Sequence, residues 1–273
     1  MKLLNLKPAI ALFALILLGI TACKKDPMDP TVPVSQPQQP NHLPANALLK
    51  QFKRAENDHY TLTYNTQNKP LQLRNQWQSV QGDPTQIRTL VYDFQYDAKQ
   101  RLSQVNQTSG WVTKYSYHGN LIHNAKDYYP GGAVANETVY IYANNRIVQE
   151  NYFVSNPLGE PPSVYKRVLG YDDKGNLNKE ETYEQDENLV FKLIQTIVYS
   201  DFDDKVNPAN WLFRFPYLPQ VRWQFNNPGK ETITSGDNTS KVITYHYEYN
   251  PQGLPISRVR NSPEGTSTVI YQY

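Results

Sequence analysis

The sequence predicts an all-β protein, an antiparallel meander of about 14–16 strands forming a curved sheet or an open barrel. Three observations carry this. Tyrosine recurs at every second position in short runs, and the chain holds 21 tyrosines against 9 phenylalanines. Tyrosine suits a half-buried pleated face, where the ring packs and the hydroxyl reaches water. Clusters of Asp, Asn, Gly and Lys follow these runs and supply the positive-φ and side-chain-capped positions of tight hairpins. An aliphatic residue then opens each return strand.

Residues 1–22 read as a signal peptide. Lys2 and Lys7 precede an apolar run from Ala9 to Leu18, too short and wrongly flanked for a spanning helix. The segment closes with Ile20-Thr21-Ala22-Cys23, which resembles the lipobox of bacterial lipoproteins. Cys23 is the only cysteine, so it is the expected lipidation site, carrying acyl chains such as palmitate, and the lipid bilayer is the expected partner. Residues 23–45 form a tether. Prolines at 27, 30, 33, 37, 40 and 44 alternate with glutamines 36, 38 and 39, a composition that favours extended polyproline conformations. About 20 such residues at ~3.1 Å each reach on the order of 60 Å. Residues 46–273 form one all-β domain. No second apolar stretch approaches the ~18 residues of a helical span.

Within that domain one pattern returns. Tyr92, Phe94 and Tyr96 lead through Asp97 to Leu102. Tyr115 and Tyr117 lead through Gly119-Asn120 to Leu121, and Tyr140 and Tyr142 through Asn144-Asn145 to Ile147. Tyr171 leads through Asp172, Asp173 and Gly175 to Leu177, and Tyr245, Tyr247 and Tyr249 through Asn250 and Gly253 to Leu254. A degenerate first copy runs from Tyr60 and Tyr64 to Leu71. Residues two apart share a face, so Tyr245, Tyr247 and Tyr249 point one way, with His246 and Glu248 opposite. Anchor tyrosines at 64, 96, 117, 142, 171, 199 and 249 are spaced by 32, 21, 25, 29, 28 and 50 residues. That spread is too uneven for a solenoid and fits hairpins of unequal length.

Tyr96-Asp97 with Arg101-Leu102, and Tyr171-Asp172 with Gly175-Asn176-Leu177, resemble the YD-repeat (RHS-type) signature. The lipobox, the Pro-rich tether, the Tyr-x-Tyr hairpins, the segment Asp203 to Pro208 and the closing Tyr271 and Tyr273 together resemble a family of Bacteroidota lipoproteins of unknown function. That family's domain is porin-like in fold. The start Cys23-Lys24-Lys25-Asp26 is similar to lipoproteins of that phylum that reach the outer face. The resemblance implies an outer-membrane-anchored lipoprotein, periplasmic or surface-facing, and supplies no activity and no cofactor. A lipid-spanning sheet is not expected, because tyrosine occupies strand centres where a hydrocarbon band wants Leu, Val and Phe.

Charge and motifs narrow the chemistry. Lys+Arg number 27 and Asp+Glu 25. Loss of Lys2 and Lys7 with the leader makes the two equal, which removes the electrostatic case for nucleic acid. There is no Gly-x-Ser-x-Gly, Walker loop, Gly-x-Gly-x-x-Gly or His-Glu-x-x-His, so no catalytic residue and no metal site is expected. His118 and His123 read as turn residues. Asp201-Phe202-Asp203-Asp204 lacks the glycine and glutamate of an EF-hand, with Val206 and Leu212 in their places, and reads as turn-forming carboxylates.

The segment Asp201–Phe225 departs from the hairpin rhythm. Asn207 is placed to cap a short helical turn with Pro208 at its first position. Trp211, Phe213, Phe215, Tyr217, Trp223 and Phe225 follow, the densest aromatic run in the chain. It reads either as a flap over an open apolar face or edge, or as a site, with Trp211, Phe213, Tyr217 and Trp223 the candidate ligand-contact aromatics. Trp77 and Trp111 read as cross-strand core residues. The function expected is a non-catalytic envelope binding module for a glycan or an envelope protein. A structural or adhesion element, or a glycoside hydrolase with paired carboxylates, is the alternative.

Overall fold

The computed structural model describes residues 47–80, 83, 85–155 and 162–273; the leader, Cys23 and the tether lie outside the described residues. The strands are β1 (Gln51–Ala55), β2 (Asp58–Tyr64), β3 (Pro70–Gln78), β4 (Ile87–Tyr96), β5 (Leu102–Gln107), β6 (Val112–His118), β7 (Leu121–Tyr128) and β8 (Val134–Ala143). They continue as β9 (Arg146–Val154), β10 (Ser163–Tyr171), β11 (Leu177–Gln185), β12 (Phe191–Ser200), β13 (Lys230–Ser235), β14 (Ser240–Tyr249), β15 (Pro255–Ser262) and β16 (Gly265–Gln272). Each pairs antiparallel with the next, as the meander requires. The sheet also closes: Phe52 of β1 faces Tyr271 of β16, and Gln51 faces Gln272. Closure leaves no unpaired edge, so the edge protection considered for residues 201–225 is not needed.

The period-2 alternation decides inside from outside. Along β14, Tyr245, Tyr247 and Tyr249 are half-buried while His246 and Glu248 are exposed. In β4, Tyr92 and Phe94 are buried with Asp93 and Gln95 exposed between them. Tyrosine and aliphatic side chains therefore fill the lumen. The outer wall carries polar pairs: Gln72 with Asp93 at 2.9 Å, Ser116 with Asn124 at 2.6 Å, Lys179 with Glu181 at 2.7 Å. Exposed Ile141, Phe153, Val242 and Ile270 are interspersed with them. Of these pairs only Lys179–Glu181 is charged, and the outer wall mixes polar with apolar side chains.

The anchor tyrosines are one structural device. The strand ladder slips by one residue immediately before Tyr64, Tyr96, Tyr117, Tyr142, Tyr171 and Tyr249. Each bulge turns its tyrosine along the barrel wall. In four of the six the hydroxyl then donates to the backbone carbonyl at or beside the start of the preceding odd strand. Tyr64 reaches Leu49 at 2.7 Å, Tyr96 reaches Pro70 at 2.7 Å, Tyr117 reaches Leu102 at 2.7 Å and Tyr171 reaches Ile147 at 2.8 Å. Tyr273 reaches Pro255 at 2.8 Å. Burial pushes the Tyr117 and Tyr142 phenols up to about 12, and the Tyr117 hydroxyl stays a protonated donor near neutral pH. After Tyr64, Tyr96, Tyr171 and Tyr249 the next residue, Asn or Asp, caps the turn; after Tyr117 and Tyr142 stand His118 and Ala143, which do not. Asp97 Oδ1 accepts from the amides of Lys99 and Arg101, and Asn250 Oδ1 from those of Gln252 and Leu254. The Tyr-Asp/Asn pair thus combines an inward latch with a turn cap. Gly175 completes one such turn. Its φ is +91°, and a Cβ there would lie 2.5 Å from the Arg146 guanidinium.

Trp111 packs on Tyr129 with ring centroids 4.8 Å apart, but it precedes β6, and both it and Trp77 on β3 are half-buried and outside the core cluster, so the core reading of these two residues does not hold. His118 and His123 stack at 4.1 Å beside their turn.

Candidate functional site

Residues 201–229 connect β12 to β13 and fold into the barrel as a plug. The contacts establish its place, since they reach lumen-facing residues around the ring. Phe213 meets Phe52 on β1, Tyr217 meets Tyr92 on β4, and the Tyr115 hydroxyl on β6 donates to the Tyr217 carbonyl at 2.9 Å. Asn207 Oδ1 accepts from the Ala209 amide at 3.2 Å, so the expected cap is present, although residues 208–213 form turns and not a helix.

The plug replaces the latch on both sides of its insertion. By the pattern, Tyr199 at the end of β12 would bond the start of β11. Gln224 Nε2 takes the Leu177 carbonyl at 3.4 Å, the Leu177 amide donates to the Trp223 carbonyl at 2.7 Å, and Tyr199 turns to Glu180 at 3.3 Å. Tyr249 likewise donates to Asp203 of the plug. Asp203 Oδ1 also accepts from the amides of Lys205 and Asn227, each at 3.0 Å. Its carboxylate organises the plug entrance, as the turn-forming reading expects. Among the described residues no group of three or more His, Cys, Asp or Glu side chains is placed to hold a metal.

A buried charge cluster sits at the plug's centre. Arg214 donates to Glu150 of β9 at 2.7 and 3.1 Å and to Glu180 of β11 at 2.9 Å. Arg167 of β10 reaches Glu150 at 2.6 Å. Burial alone would raise the Glu150 carboxyl, but Arg214 and Arg167 hold it below the ordinary glutamate range. The same two glutamates hold the Arg214 guanidinium firmly protonated against its own burial. The Arg214 plane also lies 4.4 Å from the Trp223 ring centroid.

Two cavities border the plug. The larger cavity, about 480 Å³, is bounded by Glu180, Phe213, Arg214, Glu231 and Arg258, and runs on to Arg54, Arg260 and Ser267. Those last three lie toward the strand ends opposite the latches. A smaller cavity of about 290 Å³ lies against Glu150, Arg167 and Phe215.

The four candidate aromatics fall into two pairs. Phe213, 52 % exposed, and Trp223, buried, line the larger cavity. Trp211 and Tyr217 are buried and use their rings against one another at 5.9 Å and against Phe94. The charged members of the site, Arg214, Glu150, Glu180, Glu231, Arg258 and Arg260, escape motif reasoning because they come from separate segments of the chain. One signal is available: Arg214 is the lone charge inside the aromatic run from Trp211 to Tyr217.

No family model matches this chain, and no curated protein matches it in sequence. Solved structures do. A porin-like protein from Bacteroides uniformis superposes with a TM-score of 0.58 at 11% identity, covering 82% of this chain and 97% of its own. One from Bacteroides vulgatus gives a TM-score of 0.50 at 11% identity, over 83% of this chain and 98% of its own. These likenesses carry the fold, which agrees with the porin-like domain expected from the sequence.

Proposed function

We propose that the protein is a membrane-anchored, non-catalytic receptor of the cell envelope, held at the outer membrane through acylated Cys23, with the plugged lumen as a glycan-binding site. The observation that supports it is the larger cavity. It lies in a closed wall, is flanked by the rings of Phe213, Tyr245 and Trp223 and by fixed hydrogen-bonding groups, and its size falls in the ~300–1,000 Å³ range of ligand pockets. Aromatic faces flanked by oriented polar groups are what a sugar ring requires. The outer wall, which carries polar pairs among its apolar side chains, suits a barrel held beside a membrane rather than within it. The described chain enters the barrel beside the latches, where the Lys50 amide donates to the Gln272 carbonyl.

A hydrolytic reading keeps second place because Glu180 and Glu231 border one cavity. Both are engaged, Glu180 by Arg214 and Tyr199, Glu231 by Tyr245. A glycosidase pair needs one carboxyl free to give its proton to the leaving oxygen.

Two measurements test the proposal. Metabolic labelling with a palmitate analogue should mark the wild-type chain and spare Cys23→Ser; equal labelling of both removes the anchor. A glycan array probed with the full-length chain, together with pull-down from envelope extract, should show sugar binding that Phe213→Ala weakens. Array binding unaffected by Phe213→Ala moves the site out of the lumen. Oligosaccharide cleavage that Glu231→Gln abolishes would transfer the reading to hydrolysis.

A further inference from the structure

The larger cavity holds more guanidinium than carboxylate. Arg214 is committed to Glu150 and Glu180, and Arg54 lies 3.4 Å from Asp58. Glu231 accepts the Tyr245 hydroxyl. Arg260 donates to Ser262 Oγ at 2.8 Å and, among the described residues, neither it nor Arg258 has a carboxylate at ion-pair distance. Arg258 is boxed by rings instead: its guanidinium lies 5.1 Å from the Tyr245 centroid, 5.3 Å from Phe213 and 5.7 Å from Phe52. Cation–π contact steadies an arginine without using its N–H donors, of which Tyr247 engages only part.

The unused donors are identifiable. Among the described residues, two buried side-chain nitrogens lack a hydrogen-bond partner, Arg258 Nε and Trp223 Nε1, and both residues border this one cavity. Unsatisfied buried donors are rare in native folds and call for an acceptor. Two on one cavity, beside a second arginine without a carboxylate, ask for an acceptor-rich group of negative charge. Arginine pairs planar and tetrahedral oxyanions two-pronged. Arg258 and Arg260 are two apart on β15 and so share the lumen face.

We propose that the cavity binds an acidic saccharide, its oxyanion held between Arg258 and Arg260 and its ring set against Phe213 and Tyr245. This rests on the lumen being the glycan site and adds the chemical class of the glycan.

Calorimetric titration of the full-length chain tests it with three probes: trigalacturonic acid, its fully methyl-esterified form, and 6′-sulfated lactose, which carries a sulfate and no carboxylate. The acid should bind about 10- to 100-fold more tightly than the ester, the value of one charge-assisted hydrogen-bonded pair. The stronger of the two anions identifies carboxylate or sulfate as the preferred group. Arg260→Gln should weaken the preferred anion by a similar factor and leave the ester unchanged. Arg258→Gln should do the same, with Arg258→Lys retaining part of the affinity. Melting temperatures of each variant separate lost binding from lost folding, and Arg260→Gln carries the test if Arg258→Gln unfolds. An ester that binds as tightly as the acid, or an Arg260→Gln variant that binds the anion normally, overturns the acidic ligand while leaving a glycan site. The acidic ligand is overturned in the same way if none of the probes binds but neutral sugars do on the array. Silence of both probes and array overturns the two readings together.

Discussion

The hairpin wall and the plug are stabilised in opposite ways. The wall repeats one modest device: a bulge, a tyrosine hydroxyl on the start of the preceding odd strand, and an Asp or Asn capping the turn. Each part is local in the sheet, and the device recurs around the ring. The plug instead concentrates its hold in a few long-range contacts, above all Arg214 with Glu150 and Glu180. A repeated device tolerates single losses, whereas a concentrated one does not. The two meet at Tyr199 and Tyr249, where plug residues occupy the positions or partners that the latch uses elsewhere.

The largest effect should come from the plug's centre. Arg214→Ala would leave Glu180 with one cation, Arg167 at 3.8 Å, beside the Tyr199 hydroxyl, and would strip Glu150 of one of its two cations. Removing one partner of a buried ionic cluster costs about 3–5 kcal/mol, visible as a lower denaturant midpoint. Adding Glu150→Gln and Glu180→Gln should restore part of the loss. An unchanged midpoint for Arg214→Ala would show that the plug does not depend on this cluster.

The same cluster sets the acid limit. The Glu150 carboxyl is lowered in the fold from its ordinary 4.5, so its contribution is present above about 4.5 and is lost as pH falls through the lower folded value. Asp127 behaves oppositely. Burial raises it against the bonds from Thr113 and Asn136, so what it contributes is present below its ordinary 3.8 and fades as pH rises through the folded value. Acid lability should therefore track the Arg214 cluster, and unfolding curves from about pH 3 to 6 should flatten in Arg214→Ala.

Trp211→Ala probes the packing of the plug on the wall. The ring is 7 % exposed and meets Phe94 and Tyr217. Truncation should cost about 3–5 kcal/mol if the site collapses little. A large drop in melting temperature with no separate binding defect assigns this residue to packing. Retained stability with lost glycan binding assigns it to the ligand.

The smallest effect should come from the wall. Tyr96→Phe removes one hydroxyl from the Pro70 carbonyl and should cost about 0.5–1.5 kcal/mol. The paired change Tyr96→Phe with Tyr117→Phe should be nearly additive. A loss several times larger than the sum would make the latches one cooperative unit rather than repeated independent parts.

What is legible in the chain follows this division. Tyr245, Tyr247 and Tyr249 sharing a face, the turn at Asp97 to Arg101 and the strand number all rest on period-2 alternation and turn chemistry, which act between near neighbours in sequence. The uneven spacing of the anchors hides a uniform structural role, because strand length varies while the end of each hairpin does not. The irregular run from Trp211 to Phe225 is recognisable as a departure, but not as a plug. Its partners on β1, β4, β6, β9 and β11 lie up to 161 positions away in sequence, as Phe213 does from Phe52.

By itself, then, the sequence determined the wall: which residues turn, which face inward, and where each tyrosine stands at the end of its strand. Only the tertiary structure decided that β1 meets β16 and that the insertion turns inward. It also decided that Glu150, Glu180 and Arg214 gather at one point and that Arg258 and Arg260 border a cavity without carboxylate partners. The reason is physical. Alternation and turn capping are set by neighbouring backbone geometry, while closure and charge pairing depend on how a ring of sixteen strands brings distant side chains into one lumen.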